Sequence, residues 1–171
     1  MMRFWANLIG YQLVWFSAVI GAGRGLAWPG VAAAVVFVAA QLAVSATARA
    51  DFRLAAAAVL CGLVLEGTLS ASGWARYAAD AWPAPLWILA LWAAFALTLN
   101  HSLVYLRSRP WLACVFGAVG APLAYWGAAR GWQPVQFEPP AWRATAALAV
   151  GWALALPALT AGARRWTREA S

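Results

Sequence analysis

From Pro83 to Asn100 the chain reads PAPLWILALWAAFALTLN, without one charged side chain. A helix rises 1.5 Å per residue, so about 20 apolar residues in a row reach across the ~30 Å hydrocarbon layer of a bilayer. Lipid offers no water to the backbone N–H and C=O groups of such a run, and a helix satisfies them internally. Five further stretches share this character. With turn formers as boundaries, the candidate spans are about 4–23, 28–48, 53–72, 84–106, 111–129 and 142–163. Residues 1–171 are therefore expected to form a single transmembrane domain, an all-α membrane protein built as a six-helix bundle.

The connections carry the breakers. They are Gly23-Arg24-Gly25 with Pro29-Gly30, then Arg49-Ala50-Asp51, then Gly73 with Pro83-Ala84-Pro85, then Arg107-Ser108-Arg109-Pro110. The longest is RGWQPVQFEPP, with three prolines. Pro110 falls at a helix start, where its missing N–H is harmless, whereas Pro122 and Pro157 fall inside spans and should bend them.

Charge orients the bundle. The chain holds 12 arginines, no lysine and 5 acids, far below the roughly 25% charged residues of a soluble domain. The sequence pI near 10.8 suggests nucleic acid at first sight, but the arginines are scattered at the ends of apolar runs rather than gathered in a patch. Topology explains them better, and no nucleic-acid partner is expected. Six spans place both termini on one side, with eight arginines (3, 49, 53, 107, 109, 164, 165 and 168) against four (24, 76, 130 and 143). The positive-inside rule then puts the N-terminus and the C-terminus in the cytoplasm.

Asn7, Tyr11 and Gln12 interrupt what would otherwise resemble the apolar core of a signal peptide, so the first span is read as retained. Cys61 and Cys114 lie inside apolar runs without metal-ligand spacing and read as small buried hydrophobes. No phosphate loop, dinucleotide fingerprint, zinc-protease motif or nucleophile elbow is present, and neither metal nor cofactor is expected. The halves share no visible inverted repeat, which weighs against a carrier. The closing RRWTREAS reads as a basic anchor at an anionic leaflet.

Thirteen tryptophans accompany the spans. Trp5, Trp28, Trp74, Trp82, Trp111, Trp132, Trp142 and Trp166 fall at span ends, where an indole prefers the headgroup level. Trp15, Trp87, Trp92, Trp126 and Trp152 lie deeper, either packing in the interior or lining a ligand pocket.

Polar side chains at membrane depth rarely face lipid. On span one these are Asn7, Gln12 and Ser17, on span two Gln41 and Ser45, on span three Glu66, and on span four Thr98, Asn100, His101 and Ser102. Asn7, Gln12, Gln41, Asn100 and Ser102 form a candidate intramembrane cluster in the cytoplasmic half, read chiefly as interhelical glue. Glu66 and His101 are the candidate catalytic groups, an intramembrane carboxylate and an imidazole that exchanges protons near neutral pH. Glu66 lies roughly 10 Å further out than His101, too far for a direct dyad. Its expected ion-pair partners are Arg24 or Arg76. Thr98, His101, Ser102 and Tyr105 share one helical face. Asn100 should point about 100° away from His101, toward Asn7 or Gln41. Ala113, Gly117 and Ala121 align small residues for a close helix contact.

Three segments, FWANLIGYQLVWFSAVIGA, APLWILALWAAFALTLNHSLVYL and GAVGAPLAYWGA, with the motifs Asn7…Tyr11-Gln12…Trp15-Phe16 and Leu99-Asn100-His101-Ser102, resemble a bacterial family of small integral membrane proteins. That family is domain-of-unknown-function family 2878. The resemblance implies a multi-pass protein of the bacterial inner membrane and a setting near fatty-acid-modifying enzymes, with no activity or catalytic residue to transfer. Whether the chain is itself an enzyme stays open. Three functions are compatible with these residues. The first is an accessory or interaction protein in envelope lipid modification, with membrane lipids and another membrane protein or lipid-modifying enzyme as partners. The second is an intramembrane enzyme acting on a lipid or isoprenoid through His101. The third is a small proton-coupled carrier using Glu66.

Overall fold

The computed structural model describes residues 1–79 and 83–169; Trp82, one of the tryptophans assigned to a span end, lies outside them. In chain order the elements are α1 (Met2–Gly23), α2 (Trp28–Val44), α3 (Ala48–Ala71), β1 (Ala75–Tyr77) and α4 (Leu86–Ala96). They continue with α5 (Pro110–Gly131, widened by a π-turn at Phe116–Gly120), β2 (Val135–Phe137) and α6 (Trp142–Glu169). The fold is all-α apart from the two three-residue strands.

Four helices, α1, α3, α5 and α6, are long and apolar enough to cross a membrane, while α2 and α4 are shorter apolar helices. Their outward faces are apolar too: Val35, Val36, Leu60, Val64, Val150 and Leu154 are each between 59% and 70% exposed. Large apolar side chains exposed along several helices suit lipid rather than water. Trp5, Trp28, Trp111 and Trp142, which the sequence assigns to span ends, are exposed, whereas Trp74 and Trp166 pack partly into the core.

Small residues set the helix spacing. A Cβ on Gly30 would overlap Ala18, and one on Gly10 would press on the Phe37 ring, so α1 and α2 pack closely. Gly62 of α3 admits the Trp92 indole of α4, and Gly117 of α5 lies against the Trp152 carbonyl of α6. The Ala113/Gly117 stripe thus makes the close contact its spacing implies.

At one end of the bundle, β1 and β2 pair antiparallel, with Ala75 opposite Phe137 and Tyr77 opposite Val135. The sequence treats both segments as plain connections; three residues are too few for strand alternation to register. Arg76 forms an ion pair with Glu138 beside this ladder. Contacts of Asn7 with Gln41, Arg53 with Glu169 and Arg107 with Thr167 gather the opposite end (the termini end), where α1 begins and α6 ends.

Span four departs most from expectation. Helix α4 ends at Ala96, not near residue 106, and tight turns carry the chain to a 3-10 segment at Val104–Ser108. The turn backbone makes short-range bonds, such as Leu99 N to Ala96 O and His101 N to Thr98 O. The Thr98 hydroxyl donates back to the Phe95 carbonyl, and the Ser102 N–H donates to the Asn7 side chain instead of a helical carbonyl. Polar side chains offered the backbone an alternative to the α-helix, and the helix yields there. Helix α6 runs through Pro157 unbroken, while the π-turn of α5 immediately precedes Pro122, whose ring and missing N–H cannot join a regular ladder.

Candidate functional site

Two polar clusters and one cavity hold the chemistry. The first cluster lies at the termini end. Asn7 is fully buried; its Nδ2 donates to Gln41 Oε1 at 3.0 Å, and its Oδ1 accepts from Ser102 Oγ at 2.7 Å. It ties α1, α2 and the turn after α4 together, the interhelical role expected of such an amide. Gln12, placed in the same group by the sequence, lines the cavity instead and is exposed.

The centre of this end is Asp51, which the sequence leaves in a connection. Helix α3 starts at Ala48, so Asp51 sits in its first turn, where an acid complements the helix dipole. It is 0% exposed. Its carboxylate accepts from Ser45 Oγ at 2.5 Å and Asn100 Nδ2 at 2.6 Å, and faces His101 Nε2 at 3.4 Å. Asn100 and His101 therefore converge on one carboxylate, contrary to the divergence of about 100° that a continuous helix imposes. Asn100 does not reach Asn7 or Gln41. With only 5 acids in the chain, the one acid next to Ser45 and Thr47 at a helix start was the available signal.

The second cluster surrounds Glu66, also 0% exposed. Tyr77 Oη donates to its Oε2 at 2.6 Å, Trp92 Nε1 donates to Oε1 at 3.0 Å, and the Tyr125 hydroxyl donates to Oε1 as well. These neutral donors take the place expected for an arginine: Arg76 is engaged with Glu138, and Arg24 is exposed in the α1–α2 turn. Glu66 and His101 are not brought together. Among the described residues, no three His, Cys, Asp or Glu side chains gather as metal ligands do.

Between the clusters runs a cavity of about 360 Å³, within the range of small-molecule sites. Its facing walls are α1, through Leu8, Tyr11 and Trp15, and α5, through Phe116, Gly120 and Ala124. These two helices make little direct contact, and α4 and α6 close the space behind them. Four of the five deep tryptophans (Trp15, Trp87, Trp92 and Trp152) line it, while Trp126 lies apart, bonded to Thr145. The Trp92 and Trp152 rings stack with centroids 3.9 Å apart. Tyr125 and Trp92 present the Glu66 cluster to one stretch of the lining; Ser102, bonded to Asn7, brings the termini-end cluster to another. The buried Trp152 Nε1 has no well-formed hydrogen bond, with the Tyr125 hydroxyl its neighbour.

The arrangement can hold an apolar chain against aromatic rings and offer a hydrogen bond to an oxygen on it. It can also orient an imidazole with a buried carboxylate at the termini end. No curated protein and no solved structure matches the chain. A family model described as protein of unknown function matches residues 4–158, most of the chain, and the protein belongs to that family, DUF2878.

Proposed function

We propose that this protein is a lipid-handling accessory of the bacterial inner membrane, holding the chain of a membrane amphiphile in the cavity between α1 and α5. The cavity carries the reading: it is apolar, lined by four tryptophans, and flanked by helices that face lipid. Gln12, exposed among the lining residues, favours an amphiphile with an acceptor oxygen, to which its amide N–H can donate. Six crossings with both termini cytoplasmic complete this reading, supported by the eight-to-four division of arginines, with a lipid-modifying membrane enzyme as partner.

The test is organic extraction and mass spectrometry of purified protein, wild type against Gly120→Phe. A Cβ at Gly120, itself a residue of the lining, meets only the Phe116 ring, at 3.9 Å, so a large side chain there starts into the cavity. Wild type should retain one amphiphile enriched over bulk lipid, and Gly120→Phe should lose it. Bulk-like lipid in both would end the proposal.

A second reading, an intramembrane enzyme acting on a lipid or isoprenoid, draws on the Asp51–His101 contact. A carboxylate that orients an imidazole is the arrangement general-base chemistry uses. It requires that His101→Ala abolish a lipid change that wild type restores in a deletion strain, while the variant still inserts. The carrier reading has less support, since Glu66 is fully buried and held by three donors.

A further inference from the structure

The 3-10 segment at Val104–Ser108 folds the chain back on the last turns of α6, where the Arg107 guanidinium donates to the Thr167 hydroxyl. Arg164 and Arg168 are one helical turn apart on the same stretch of α6, so two further guanidiniums share that end of the helix with Arg107. Burial foremost, and then the charges of Arg164 and Arg168, lower the affinity of Arg107 for its proton, while the Asp51 charge acts the other way. Nearby anions are already committed. Glu169 is shared by Arg53 and Arg165, and Asp51 is buried under three donors of its own. Among the described residues, none of Arg107, Arg164 and Arg168 forms an ion pair with a carboxylate.

We propose that Arg107, Arg164 and Arg168 form a site for one phosphate group, carried by the headgroup of an anionic phospholipid. Guanidinium groups match phosphate oxygens in geometry and charge, and several together can bind one phosphate through paired N–H bonds. The site lies at the polar end of apolar helices, the level at which lipid phosphates lie. It differs from the general attraction of a basic tail because Arg107, some 60 residues before Thr167, is required. The inference is independent of the cavity.

Native mass spectrometry of protein released from nanodiscs holding equal phosphatidylglycerol and phosphatidylcholine tests it. Wild type should retain one phosphatidylglycerol, and Arg107→Gln and Arg168→Gln should each weaken retention about tenfold, the effect of losing a charge-assisted hydrogen bond. Arg109→Gln removes the same charge from an exposed position at the same end and should change nothing. Equal losses in all three variants, or no preference for phosphatidylglycerol in wild type, would overturn the site. If Arg107→Gln does not fold, Arg168→Gln, at an exposed position, decides alone. Added inorganic phosphate separates the sources. Displacement of the lipid assigns the site to phosphate as such, and retention assigns it to the lipid.

Discussion

Asn100 Nδ2 donates to Asp51 Oδ1 at 2.6 Å across 49 positions of sequence, and the neighbouring His101 Nε2 lies 3.4 Å from the other oxygen of that carboxylate. Adjacent residues of a regular α-helix diverge by about 100°, so this convergence requires the helix to have ended, as α4 does at Ala96. The broken helix and the buried acid explain each other. The turn supplies donors to Asp51, and Asp51 compensates the turn for lost ladder bonds.

Removing that acid should therefore loosen the whole end. Asp51→Ala leaves Ser45, Asn100 and His101 without their common acceptor, and a loss of about 2–4 kcal/mol is expected. Asp51→Asn, which keeps one acceptor oxygen, should lose less. Thermal unfolding in detergent measures both, and an unchanged midpoint for Asp51→Ala would refute the arrangement.

The Glu66 cluster should behave as a unit. Tyr125→Phe and Tyr77→Phe each remove one donor and should cost about 1 kcal/mol. Glu66→Gln replaces one accepting oxygen by a donor that faces donors and should cost more than either. Combined with Glu66→Gln, Tyr125→Phe should add less than it does alone, because the bond it removes is already impaired. Full additivity in a double-mutant cycle would show that the groups are not coupled.

Gly117 and Gly127 lie on the same helix with opposite surroundings. A Cβ at Gly117 overlaps the Trp152 carbonyl, while one at Gly127 meets nothing within 4 Å. Gly117→Ala should part α5 from α6 and destabilise by about 1–3 kcal/mol. Gly127→Ala should be neutral or gain up to about 1 kcal/mol from helix propensity. Similar behaviour in the two variants would contradict the close α5–α6 contact.

His101 separates the two functional readings. Its side chain is 24% exposed and sits at the edge of the polar cluster, not among the residues lining the cavity. His101→Ala should still fold and retain the cavity-bound amphiphile. If the lipid composition of a complemented deletion strain nevertheless stays at the deletion pattern, the imidazole acts chemically. If it returns to the wild-type pattern, the protein acts by binding.

Much of this architecture is legible in local sequence. Apolar run length locates the helices but expects six of spanning length; four reach it, and α2 and α4 end short of the runs that predict them. Pro110 at its helix start and the Ala113/Gly117 stripe act through their immediate neighbours, and they act as their positions imply, whereas Pro29 and Gly30, placed among the breakers, lie inside α2. The deep tryptophans carry only half a message. Trp15, Trp87, Trp92 and Trp152 share a cavity, but an indole that packs and an indole that lines a pocket have the same hydropathy.

Partnership is decided elsewhere. Glu66 is plainly a buried carboxylate from its surroundings in sequence, yet whether arginines or phenols and an indole satisfy it depends on which helices lie beside α3. Asp51 looks like a loop residue until Asn100 and His101 arrive from a turn that helical periodicity does not anticipate. Hydrophobicity and backbone hydrogen bonding act along the chain, so the sequence determines that this protein is a set of apolar helices. The pairing of polar groups acts across it, over separations of 26 positions for Trp92–Glu66 and 95 for Asn7–Ser102. Only the packed bundle brings such groups within bonding distance, so the tertiary structure alone decides what each buried charge meets.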